Sequence, residues 1–88
     1  MKQYITEKQL NELTDKTVMY RTFAKDKEHG YCLSIGQMIE FLYQHTTVTI
    51  ESEEYSGPRY GWFVNRDYMS TELCDALWQA VKAILKTL

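Results

Sequence analysis

Proline occurs once in this 88-residue chain, at Pro58, and glycine four times, so no stretch has the composition of a flexible linker or a low-complexity segment. Cysteine occurs twice, at Cys32 and Cys74, which is too few and too widely spaced for a disulfide framework. Residues Met1 to Glu7 contain no apolar signal core, so both thiols are expected free, Cys74 in the core, in a protein of the cytoplasm. Basic residues are not in excess: ten Lys and Arg face twelve Asp and Glu, giving a net charge of -2 and a pI near 5.6. Non-specific phosphate binding needs a basic footprint, so nucleic acid is a minority reading, with Arg59, Arg66 and Tyr60 as its contacts. No apolar run is long enough to span a membrane, and no Gly-rich phosphate loop, nucleophile elbow or metalloprotease helix is written in the chain.

Hydrophobic residues at 44% and aromatics at 14% are enough for a folded core, and the length is that of one domain, residues 1–88. The spine of that core is read at the end of the chain. At one hundred degrees per residue from Ser70 to Leu88, Leu73, Cys74, Leu77, Trp78, Val81, Ile84, Leu85 and Leu88 fall on one arc. Glu72, Asp75, Gln79, Lys82 and Lys86 fall on the opposite arc, and Ala76, Ala80 and Ala83 line the flank. Ser70 is taken as the N-cap. The small flank is where another backbone would approach, either the helix carrying Gly36 or a second copy in a homo-oligomer.

Two earlier helix starts carry complete capping boxes. In Ile5-Thr6-Glu7-Lys8-Gln9-Leu10, Thr6 caps, Gln9 reaches back, and Ile5 and Leu10 form a hydrophobic staple. Leu33-Ser34-Ile35-Gly36-Gln37-Met38 repeats the pattern, with Ser34 as cap and Gln37 at the third position. The second helix is expected to bury Ile35, Met38, Ile39 and Leu42, with Phe41 and Tyr43 at the edge. Val48 and Ile50 alternate with Thr47, Thr49, Glu51 and Glu53, and Tyr60, Trp62 and Val64 alternate with Arg59, Gly61, Phe63 and Asn65. This is the pattern of two half-buried strands joined by a turn at Tyr55-Ser56-Gly57-Pro58.

From Lys16 to Ala24 the signals conflict, because β-forming Thr17, Val18, Tyr20, Thr22 and Phe23 carry no Gly or Pro to forbid a helix. A lone hairpin is marginal, so residues 17–23 are read as a third strand beside it. Lys25-Asp26-Lys27-Glu28-His29-Gly30 then forms a charged surface loop. The fold class is α+β: helices over about 7–14, 35–45 and 71–87 packed on a β-hairpin over about 47–54 and 59–65, with the third strand over 17–23.

Read together, the blocks Ile5 to Leu10, Leu33 to Leu42 and Leu73 to Lys82 resemble a family of small proteins encoded by phages and prophages of Gram-positive bacteria. The match covers roughly a third of the residues and consists of capping and core positions. The chain departs from the family between Lys16 and Gly30, where relatives favour helix more. The resemblance implies a bacterial host and an origin, and it brings no catalytic or ligand-binding residues with it.

Chemistry is thinly represented. His29 and Cys32, with His45 and Cys74 elsewhere, are the only residues resembling metal ligands, and a structural zinc site shows short-spaced pairs at both ends. No orienting group or oxyanion donor accompanies a cysteine nucleophile. The expectation is therefore a protein without metal or cofactor that is not an enzyme and acts by binding a host or phage protein, as an inhibitor of a host factor for example. The candidate binding surface is the outward face and tip of the hairpin: Glu51, Glu53, Glu54, Tyr55, Arg59 and Phe63. The rival surface is the polar face of the last helix, and the bland reading has Phe63 packed under a neighbour with the glutamates solvating a strand edge.

Overall fold

Two helices start where their capping boxes place them. A computed structural model describes residues 1–24, 30–56 and 59–88, without the side chains of residues 54–60. In helix α1, Glu7–Leu10, Thr6 Oγ1 accepts from Gln9 N and Gln9 Oε1 accepts from Thr6 N. In helix α3, Ile35–His45, Ser34 and Gln37 repeat both bonds. Each box satisfies backbone donors that the first turn leaves orphaned. The two starts are also joined. Tyr4 and Ser34 form an isolated antiparallel bridge, with Ile5 N donating to Leu33 O at 3.0 Å and Ile35 N to Gln3 O at 2.9 Å. The staple residues Ile5 and Leu33, joined by that bond, are both buried.

Residues 17–23 are not a strand. Helix α2, Thr17–Thr22, begins where the Asp15 carboxylate accepts from Thr17 N at 2.9 Å, an anchor that the strand reading overlooked. The spacing of burial gives the reason. Met19 and Phe23, four apart, are both buried, whereas Tyr20, Arg21 and Thr22 are exposed. A strand would have placed Arg21 on the same face as Met19 and Phe23, burying a charge without a partner. The charged loop expected at residues 25–30 lies outside the described residues except for Gly30.

The third strand comes from elsewhere. Strands β1 (Ile50–Ser56), β2 (Arg59–Val64) and β3 (Tyr68–Ser70) form an antiparallel sheet in the order β1-β2-β3. The register pairs Ile50 with Val64, Glu51 with Phe63 and Trp62 with Ser70, and slips between Glu54 and Ser56. Of the turn read over 55–58, Tyr55 and Ser56 belong to β1, and Gly57 and Pro58 lie outside the described residues. Ser70 ends β3 rather than capping the last helix. Its Oγ accepts from Glu72 N at 3.3 Å, and helix α4 runs Leu73–Leu85 with Glu72 as a cap whose side chain accepts from Lys2 N rather than from the helix.

Helix α4 is the spine. Cys74, Ala76, Leu77, Trp78, Ala80 and Val81 are at most 2% exposed and pack with Met38, Phe41 and Leu42 of α3 and with Val64 of β2. Several details differ from expectation. Phe41 is buried at the centre of its face while Tyr43 is 66% exposed, and Leu88 falls beyond the helix at 53% exposed. Ile50 is also exposed, at 36%, although it pairs with the buried Val64, because it lies at the edge strand's first residue. Gly36 faces no helix: a Cβ there would meet only Ser34 Oγ, at 3.9 Å. Of the alanine flank, Ala76 and Ala80 are buried within the chain and Ala83 is half-buried.

Candidate functional site

The cross-strand register sorts the sheet into two faces. Trp62, Val64 and Tyr68 belong to the core cluster, and α4 is the helix packed on β2 and β3 among the described elements. Side chains alternate along a strand, so Phe63 and its partners Glu51 and Met69 stand on the opposite face. Phe63 is half-buried and Met69 is 41% exposed, and neither belongs to the core. Of the predicted surface, Glu51, Glu53 and Phe63 are thus brought together on one face. Glu53 lies opposite Gly61. Glu54 pairs through its backbone with Tyr60, and Arg59 with Ser56. The side chains of Glu54, Tyr55, Arg59 and Tyr60 lie outside the described residues.

Met69 was missed because the segment after Asn65 was read as a lead into the last helix. Arg66, a contact in the nucleic-acid reading, sets its Nε 3.6 Å from Glu51 Oε1. At 83% side-chain exposure this pair contributes little stability, yet it sets a cation beside the outer face.

The polar face of α4, the rival surface, is partly covered by the N-terminal segment. Asp75 Oδ1 accepts from Lys2 Nζ at 2.6 Å and from Gln9 Nε2 at 2.7 Å. Gln9 Oε1 meanwhile takes Lys2 Nζ as well as its own cap N–H. Further along, Glu12 Oε1 accepts from Trp78 Nε1 and Lys82 Nζ, both at 2.9 Å. These two bonds hold the Glu12 carboxyl below its ordinary value, with Lys82 the larger cause. Residues that a helical wheel places in solvent are here ties between the two ends of the chain.

A second surface was not foreseen. An open groove of about 620 Å³ lies between the end of α3, the approach to β1, the β2–β3 turn and the end of α4. His45, Thr47, Asn65, Asp67 and Tyr68 line it above a floor that includes Ala80 and Ile84. The turn is held in shape by two bonds: Asn65 N donates to Thr49 O, and Thr49 N donates to Asn65 Oδ1, both at 2.8 Å. Asn65 and Arg66 both have left-handed backbone, φ 54° and 63°. Asn tolerates that conformation and Arg rarely adopts it. Consecutive left-handed residues match the twist of antiparallel strands in a tight connection.

Cys74 is buried and Cys32 half-buried, and both are free. Burial pushes the Cys74 thiol up from its ordinary value. Among the described residues no three His, Cys, Asp or Glu side chains cluster as metal ligands. His29 lies outside them. No described helix is long and apolar enough to cross a membrane. Comparison with protein-family models finds no match, and comparisons with curated proteins and with solved structures find no significant match either.

Proposed function

We propose that this chain is a protein-binding module, a small phage or prophage accessory protein that docks the uncovered face of its sheet on a host or phage protein and inhibits it. The observation that carries the reading is the row Glu51, Phe63, Met69, which is paired across all three strands on the face opposite α4. An aromatic residue and a methionine side by side outside the core supply what interface centres are enriched in. Methionine adapts to irregular partner surfaces. Glu51 and Glu53 form an acidic border, so the partner's matching surface is apolar with basic residues around it.

The test pairs two sets of variants with a partner recovered by pull-down of the tagged protein from infected cells. One set is the triple reversal of Glu51, Glu53 and Glu54 to Lys, and the other is Phe63→Ser and Met69→Ser. Each variant is first checked for retained helix and sheet by circular dichroism. Loss of partner binding in folded variants supports the reading. Unchanged binding in both sets rejects the sheet face.

A further inference from the structure

We infer that the outer edge of β1 takes up an extended segment of a protein partner as a fourth, antiparallel strand, and that this segment carries lysine or arginine at alternate positions. The inference rests on the reading of this chain as a protein-binding module and adds the form its partner takes. The sheet has two edges, and they are treated differently. At the β3 edge the strand is three residues long, and Gln79 Nε2 of α4 donates to Met69 O at 3.3 Å, so a helix side chain occupies the acceptor a new strand would use. The β1 edge is seven residues long and has no such cover among the described residues. Asn65 N donates to Thr49 O, so Thr49 faces β2, and ladder alternation turns the backbone of Glu51 and Glu53 the same way. Ile50, Ser52 and Glu54 then direct their N–H and C=O groups away from the sheet, and no described residue bonds those of Ile50 and Ser52. Such a row is a template for strand addition.

Charge decides what pairs there. In the new ladder Glu51 and Glu53 fall at the non-hydrogen-bonded positions, where opposed residues come closest, about 4.5 Å between Cα atoms. A second copy is excluded by this: β1 laid antiparallel on itself about Ser52 sets Glu51 against Glu53 twice, and like charges directly opposed are destabilising. No basic residue lies between Thr46 and Ser56 to relieve them. A segment with Lys or Arg two residues apart reverses the sign of both pairs. Arg66 shows that Glu51 accepts a guanidinium, at 3.6 Å in an exposed pair, and Glu53 has no cation beside it among the described residues. The other face of the added strand has room as well. Helix α4 packs on β2 and β3 and leaves β1 overhanging, with Ile50 and Ser52 exposed, so a small apolar residue of the partner can lie between them.

The test is a two-dimensional ¹⁵N NMR titration of the protein with the end-capped peptide Thr-Thr-Lys-Val-Lys-Thr-Thr, whose lysines share one face of an extended strand. Its controls are the same composition with the lysines adjacent, the same sequence N-methylated at Val, and the counterpart with Glu for Lys. Saturable shifts from Ile50 to Glu53 and slowed amide exchange at Ile50 and Ser52 are expected with the first peptide alone. Glu53→Gln should weaken its affinity about 2- to 5-fold. Ser52→Pro should abolish binding and keep the sheet, because the N–H it removes points away from β2. No saturable binding of the first peptide, equal binding of the adjacent-lysine or N-methylated control, or full affinity in a folded Ser52→Pro would each overturn the inference. The partner recovered by pull-down separates this edge from the sheet face. A partner lost with Phe63→Ser and kept with Ser52→Pro leaves the face reading and removes the edge, and the opposite pattern upholds the edge and removes the face.

Discussion

The indole Nε1 of Trp78 donates to Oε1 of Glu12 across 2.9 Å, joining residues 66 positions apart. Trp78 is 1% exposed, and a buried indole needs a partner for its N–H. Glu12 supplies it from the turn just after α1, while Lys82 bonds the same oxygen and lies 5.8 Å from the Trp78 ring centre. One carboxylate thus ties the start of the chain to its spine.

Glu12→Gln should flatten the acid side of the stability profile. The Glu12 carboxyl is held below its ordinary value of 4.5 in the folded protein. Its contribution is therefore complete above that value, and it is lost as pH falls through the lowered folded value, because the unfolded chain takes up the proton first. Urea melts at pH 7 and pH 3 should show the parent losing more stability than the variant. The carboxylate is largely in solvent, so the difference should stay under about 1 kcal/mol. An identical pH dependence in both proteins would contradict the tie.

Leu77→Ala and Trp78→Ala should each cost about 2 to 5 kcal/mol, since both side chains are enclosed and the space they leave has little to fill it. In a domain of this size such a loss is comparable with the whole stability. Thermal melts check it, and parental midpoints for both would mean α4 is not the spine.

Among the caps, Ser34→Ala should cost about 0.5 to 2 kcal/mol, as the loss of a side-chain acceptor does. Thr6→Ala should fall at the lower end, because Thr6 is exposed and starts only a four-residue helix. Thr71→Ala should be neutral: Thr71 is exposed, and Glu72 rather than Thr71 caps α4. Chemical denaturation of the three variants orders them, and an equal effect at all three sites would disprove the cap assignments.

Asn65→Ala should cost about 1 to 2 kcal/mol, combining a left-handed conformation that alanine resists with the loss of the acceptor for Thr49 N. Amide exchange should rise first at Thr49, where that bond is broken. Unchanged protection there would show that the Asn65 side chain does not hold the turn.

Thiol labelling of the folded protein should modify Cys32 well before Cys74. Cys74 is fully buried and its thiol is pushed toward the neutral form, whereas the thiolate is the reactive species. Comparable native-state rates, measured by mass spectrometry, would mean that α4 opens readily.

What the sequence by itself determined is whatever is decided within a few residues or by one strong periodicity. The capping boxes at Thr6 and Ser34 are local hydrogen-bond patterns, so α1 and α3 start as read. The apolar arc from Leu73 to Leu85 is unambiguous at helical spacing, so the spine was legible too, as was the alternation that turns Phe63 away from Trp62 and Val64. Tertiary structure decided the rest. Residues 17–22 have side chains that suit either state, and it is the burial of Met19 and Phe23 together, with Arg21 left in solvent, that selects helix. Tyr68 to Ser70 is too short to announce itself and becomes a strand because β2 offers it an edge. The ties from Lys2, Gln9 and Glu12 to Asp75, Trp78 and Lys82, and the groove between two helix ends, join residues remote in sequence. No local pattern encodes them, because a long-range polar contact depends on where packing has placed both partners.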